Sequence, residues 1–204
     1  DPTGTERGGI YVAGVCQEIC LATARNLGLP ETEIRHLAFA LQYYDVGLGS
    51  VPPHLLNKAD VLTDAERALV ERHVQVGLVT LAPLQPPPKV RQIILHHHES
   101  YDGTGYPKGR AGEAIPLGSR LIALTDSLRA LLQRRPWRPA VPLADALAEI
   151  QALAGTRYCP RLAAVFLAEA ERRRTQIEEL RQRADDGEDL KRPAPLHPVQ
   201  LVRS

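Results

Sequence analysis

The run His96-His97-His98, followed by Glu99 and then Asp102-Gly103-Thr104-Gly105-Tyr106-Pro107, constrains this chain more than any other stretch. It falls where an apolar pattern of helical period (Val90, Ile93, Ile94) gives way to a glycine-rich turn. Three adjacent imidazoles at a helix end are costly to place by accident. A helix end meeting a tight loop is a common geometry for a metal or phosphate site. The fold must therefore deliver this segment to a polar centre.

The remaining apolar patterns are also helical in period, and no segment reads as a strand. Val12, Cys16, Ile19 and Thr23 form one stripe before Gly28; Ile34, Leu37, Ala38 and Leu41 form a second after Pro30. Residues Gly47 to Asp60 carry Pro52-Pro53 and no period, and are expected to be a loop. Thr63-Asp64-Ala65-Glu66 reads as a capping box opening a helix whose stripe runs through Ala65, Leu69 and Val76 to Leu81. Pro86-Pro87-Pro88 starts the next helix, and Ser100 to Ile115 forms a loop. Helices are expected over Leu117 to Leu132, over Leu143 to Leu153, and from Pro160 onward. The expected divisions are a helical domain over 1–168, a charged helical extension over 169–184 and a flexible tail over 185–204. Ile177 and Leu180 are read either as a solvated extension or as a seam for a partner helix.

Projected on these helices, four polar side chains point to the apolar face. His73 follows Leu69 by four and precedes Val76 by three; His97 follows Ile93 by four. Asp45 follows Leu41 by four, and Asp126 follows Ile122 by four. Buried carboxylates need a partner or a metal. Neutral imidazoles with carboxylates suit Zn, Fe, Mn or Ni, and this set can satisfy one or two ions.

Composition narrows the class. With two Phe and one Trp, the core must come from Leu, Ala, Val and Ile. A net charge of +1 implies no general attraction to a nucleic-acid polymer or anionic lipid. No apolar run approaches the roughly 20 residues of a membrane span. Cys16, Cys20 and Cys159 read as small core residues of a cytoplasmic protein. Met is absent and the chain opens on Asp1, so an N-terminal regulatory domain of a longer protein is expected.

The histidine run and its loop closely resemble the signature of the HD-GYP family, bacterial phosphodiesterases that hydrolyse cyclic di-GMP with a cluster of metal ions. Val51-Pro52 through Leu56-Asn57-Lys58, His73 with Gly77, His97 to Gly109, Thr125-Asp126 and Arg134-Arg135-Pro136-Trp137-Arg138-Pro139 all sit in family order, from about residue 10 to 170. The resemblance implies an all-α, HD-superfamily helical bundle with a central metal site. One metal position maps to Asp45, His73, His97 and His98, with Asp45 bridging to a second. The second maps to about Val12, Tyr44, Asp45 and Asp126.

The departures fall on that second position. The His of the HD pair is Tyr44, the following Lys is Leu48, the N-terminal His and Glu fall near Val12 and Gly8, and a later Asp is replaced within Leu128-Arg129. The resemblance thus implies one intact site for a divalent transition metal beside a broken one. The alternative is an empty polar network with the Tyr44 hydroxyl bonded to Asp126. On the ligand side it implies Tyr106, Arg135 and Arg138 as nucleotide contacts. Gly105, Tyr106 and Pro107 would be a docking surface for diguanylate cyclase (GGDEF) domains. The implied function is a cyclic di-GMP signalling domain with impaired or absent hydrolysis; the alternative is an active phosphodiesterase using a reduced site.

Overall fold

The computed structural model describes residues 2–134 and 138–185. They form α1 (Pro2–Asn26), α2 (Glu31–Tyr43), α3 (Pro53–Leu56), α4 (Asp64–Glu71), α5 (His73–Leu81), α6 (Pro88–Leu95), α7 (Leu117–Leu132), α8 (Leu143–Ala152), α9 (Pro160–Arg172) and α10 (Arg174–Asp185). Among the described residues there is no strand; Ala154 and Tyr158 make one isolated bridge. The chain is the all-α bundle that the periodicity predicts. No described helix is long and apolar enough to cross a membrane.

Helix α1 packs against α2, α7, α9 and α10, while α6 lies against α2, α5 and α7. The stripe of α1 is buried as projected: Cys16, Ile19, Cys20 and Thr23 are nearly inaccessible. The starts follow proline: Pro53, Pro88 and Pro160 occupy the first turns of α3, α6 and α9, where a missing N–H costs nothing. Gly118 seats α7 against the end of α6, since a Cβ there would lie 2.7 Å from Ile93 Cδ1. The Ser119 hydroxyl donates to the Ile93 carbonyl at 2.8 Å, pinning the same crossing. This contact fixes the segment after α6 relative to the middle of α7.

Three sequence expectations need correction. The stretch from 47 to 60 is not wholly a loop: Val46–Ser50 is a 3-10 turn and α3 follows, both too short to show a period. The helix expected from Thr63 to Leu81 is two helices. The Thr63–Glu66 capping box forms, with Lys58 added to it at 2.7 Å from Glu66 Oε2. Arg72, with φ −66° and ψ −14°, separates α4 from α5. Ala65 and Leu69 therefore face solvent, and His73 is buried in a new register with Val74, Gly77 and Leu81.

The third correction concerns the C-terminal helix. The chain bends at Arg173, and Ile177 is buried to 2% exposure beside Val12, Val15, Cys16 and Leu132. It is neither solvated nor a seam for a partner. Glu169, itself buried, holds the bend by accepting from Asn26 Nδ2 at 2.6 Å and from Arg173 Nη1 at 2.6 Å. The expected boundary at 168 falls inside α9. Most of the expected tail, from residue 186 on, lies outside the described residues.

Because Ile177 completes the core on α1, Ile177→Ala is expected to cost about 2–5 kcal/mol. A solvated position would cost within about 0.5 kcal/mol. The urea midpoint of the two proteins distinguishes these outcomes.

Candidate metal centre

Four side chains from three segments converge on one point. Asp45 opens the 3-10 turn after α2, with φ −96° and ψ 4°. His73 is the first residue of α5, and His97 and His98 follow the end of α6. Ligand atoms of Asp45, His73, His97 and His98 all lie within 4.8 Å of one another. Gly47 makes this convergence possible: a Cβ there would fall 2.0 Å from the His73 carbonyl oxygen and 2.6 Å from the Gly77 nitrogen. Only a residue without a side chain lets the turn carrying Asp45 lie on α5.

The hydrogen bonds decide how the imidazoles are used. His73 Nδ1 donates to the Val70 carbonyl and His97 Nδ1 to the Ile94 carbonyl, each at 2.7 Å. A carbonyl can only accept, so each ring carries its proton on Nδ1 and leaves a lone pair on Nε2. Those Nε2 atoms face Asp45 Oδ1 at 3.8 and 3.7 Å, too far for a direct hydrogen bond. Both are buried and have no hydrogen-bond partner among the described residues. Two nitrogen lone pairs and a carboxylate oxygen thus converge with no proton between them, the arrangement of ligands whose other ring nitrogen is fixed by a backbone carbonyl. Burial, then His97, pushes His98 down to about 2, and burial also lowers His73, so neither ring competes as a cation. The four residues fit a divalent ion.

Asp126 belongs to the other side of Asp45. Its Oδ1 accepts from the Tyr44 hydroxyl at 2.9 Å and from Arg129 Nη2 at 2.6 Å. The same Nη2 donates to Asp45 Oδ2 at 2.7 Å. Burial would raise Asp126, but the Arg129 guanidinium holds it below the usual carboxylate range. Burial and the facing Asp126 push Tyr44 up, so it remains a phenol and a donor. The sequence placed a lost acid within Leu128-Arg129 and gave Arg129 no role of its own. Its three-residue spacing from Asp126 was the available signal; its reach to Asp45 had none.

The glycine-rich loop folds back on the histidines. Gly105 needs its lack of Cβ, which would fall 2.2 Å from the Ser100 nitrogen. Tyr106 stacks on His98 with ring centroids 4.8 Å apart and planes 24° apart. Pro107 follows it in the loop, half-buried. Asp102 holds the turn by accepting from the Thr104 amide at 3.0 Å and hydroxyl at 2.7 Å. His96 points elsewhere: its Nδ1 lies 3.0 Å from Glu99 Oε1. Buried Glu99 also accepts from the Lys108 and Arg110 amides, each at 3.0 Å, and is the loop's hub, a role the sequence reading missed. Arg138 donates to the Ala130 carbonyl at 2.7 Å in the last turn of α7, so that donor is committed to the helix end. Arg135 lies outside the described residues.

The HD domain family model matches residues 5–162. The chain belongs to the HD domain family. Its relatives place it among the HD-GYP-type members of that family. It is 33% identical over 146 residues to a cyclic di-GMP phosphodiesterase of Thermotoga maritima, covering 71% of this chain and 40% of that one. It is 38% identical over 161 residues to a cyclic di-GMP phosphodiesterase response regulator of Xanthomonas campestris pv. campestris, covering 77% and 41%. The chain therefore spans about two fifths of the length of these relatives. A solved cyclic GMP-AMP specific phosphodiesterase of V. cholerae superposes at a TM-score of 0.61 with 22% identity, covering 96% of this chain and 52% of that one. An HDG"Y"P protein from Bdellovibrio bacteriovorus superposes at 0.63 with 20% identity, covering 80% and 51%. These two likenesses show the fold.

In this HD domain, Glu99→Ala leaves the Lys108 and Arg110 amides and His96 without their common acceptor. A loss of about 1–3 kcal/mol is expected for each buried donor left unpaired. Hydrogen exchange should accelerate locally at Lys108 and Arg110 while the amides of α7 stay protected.

Proposed function

We propose that this chain is a bacterial cyclic di-GMP signalling domain of HD-GYP type that holds one divalent transition metal and hydrolyses its ligand weakly or not at all. The observation that carries the one-ion reading is the pair of unpartnered Nε2 atoms of His73 and His97 aimed at Asp45 Oδ1. With His98 they supply a three-imidazole, one-carboxylate set suited to Fe, Mn, Zn or Ni.

A bound ion supplies Lewis acidity that lowers the pKa of a coordinated water from 15.7 toward roughly 7–9. The rest falls to the protein. In the two-ion arrangement, ions about 3.5–4 Å apart divide the attacking and leaving oxygens between them. By resemblance, Val12, Tyr44 and Asp126 stand where the second ion's own ligands would be. Val12 is buried and apolar, and the Tyr44 hydroxyl is spent on Asp126. Half of the clamp is missing. A loss of a few kcal/mol of transition-state stabilisation corresponds to about 10²–10³-fold in rate.

The ligand class follows from the relatives, which include 3'3'-cGAMP-specific phosphodiesterases of Vibrio cholerae alongside the cyclic di-GMP enzymes. Tyr106, half-buried on His98, offers a ring beside the centre for a nucleobase. Arg138 and Arg135 are the proposed phosphate contacts, and Gly105, Tyr106 and Pro107 the proposed docking surface for GGDEF-domain proteins. An N-terminal regulatory domain and a cytoplasmic setting belong to the same reading; the three described cysteines are free and buried. A second reading, an active phosphodiesterase on a reduced site, is favoured by the completeness of the four-residue set.

Elemental analysis and a hydrolysis assay test the proposal together. One metal per chain is expected, lost in His97→Ala. Conversion of cyclic di-GMP to pGpG or GMP should be at least about 10²-fold slower than for the Thermotoga maritima relative under the same conditions. Hydrolysis at parity with that relative would establish the second reading.

A further inference from the structure

We propose that the Arg129 guanidinium is a fixed cation standing where a second metal ion would sit beside Asp45, so that the centre pairs one ion with one arginine. The proposal deepens the one-ion reading and rests on it for what occupies the neighbouring position.

A single nitrogen, Nη2, lies 2.7 Å from Asp45 Oδ2 and 2.6 Å from Asp126 Oδ1. An ordinary ion pair three residues apart on α7 would join Arg129 to Asp126 alone. Here the guanidinium also reaches a carboxylate from a different element, 84 residues away in sequence. The two oxygens of Asp45 consequently face opposite ways. Oδ1 looks toward His73 and His97, and Oδ2 toward Arg129. That is how a carboxylate bridges two cations, with a guanidinium as one of them.

A guanidinium stays protonated throughout the pH range of a folded protein, so the charge is permanent. The Tyr44 ring lies under the guanidinium, 5.5 Å from its carbon to the ring centroid, and the Tyr44 hydroxyl fills the next lone pair of Asp126. Arg129 Nε is buried without a hydrogen-bond partner among the described residues, and Nη2 is held by the two carboxylates. The charge balance agrees. Two carboxylates and one guanidinium leave one negative charge, which a single divalent ion overcompensates. A second divalent ion on the same oxygens would meet a cation at contact distance.

The test is the count of bound Mn²⁺ at saturation, measured on the full chain for wild type and Arg129→Ala. The variant is expected to bind one ion more than wild type, at Asp45 and Asp126, and Arg129→Lys to bind the wild-type number. Tyr44→His alone should leave the count unchanged, because the guanidinium still blocks the position. Counts of one and two support both the inference and the one-ion reading. Zero and one overturn the reading and, with it, the pairing of one ion with one arginine. Equal counts in wild type and Arg129→Ala, or a gain in Tyr44→His alone, overturn the inference; a wild-type count of one then leaves the reading standing. If circular dichroism shows Arg129→Ala to be unfolded, Arg129→Gln, which keeps the bulk without the charge, takes its place.

Discussion

The Asp45 carboxylate is the point on which the structure of this domain turns. It is the one group shared by both halves of the polar centre, with imidazole lone pairs on one side and a guanidinium on the other. A carboxylate in such a place is stable only while cations face it. Arg129 satisfies one oxygen permanently. The other oxygen, with the two Nε2 atoms, is left for a divalent ion.

Backbone packing rather than side-chain bonding delivers Asp45 to that point. Gly47 lets its turn lie directly on the first turn of α5, which sets the distance from Asp45 to His73. Gly118 and Ser119 lock α7 against the end of α6, which sets Asp126 near His97. The Glu99 hub then folds the loop so that Tyr106 covers His98. The histidine run therefore divides its labour. His97 and His98 face the ion site, while His96 helps to hold the loop.

Much of this was legible in the residues. Stripes of period 3.6 gave α1, α2, α6 and α7 because each buries one continuous face; Asp45 and His97 were projected from those stripes but lie just past the ends of α2 and α6. His73 was placed inward for the wrong reason. Leu69 and Val76 share a period on paper, but the helix is interrupted at Arg72 and Leu69 faces solvent. A break of that kind leaves no mark on hydrophobic periodicity. Ile177 sits on so charged a helix that its burial depends on the bend at Arg173, which Glu169 and Asn26 stabilise from far apart in the chain. Arg129 shows the same limit at the site. Its bond to Asp126 is local and readable, whereas its bond to Asp45 exists only once α2 and α7 have packed.

X-ray absorption at the metal edge, on the chain loaded with Zn²⁺ or Mn²⁺, tests this account most directly. It predicts a single nitrogen- and oxygen-rich shell with the outer scattering of imidazole rings and no metal–metal vector. A metal–metal vector at about 3.5–4 Å would contradict it, because a second ion cannot share Asp45 while Arg129 holds the other oxygen.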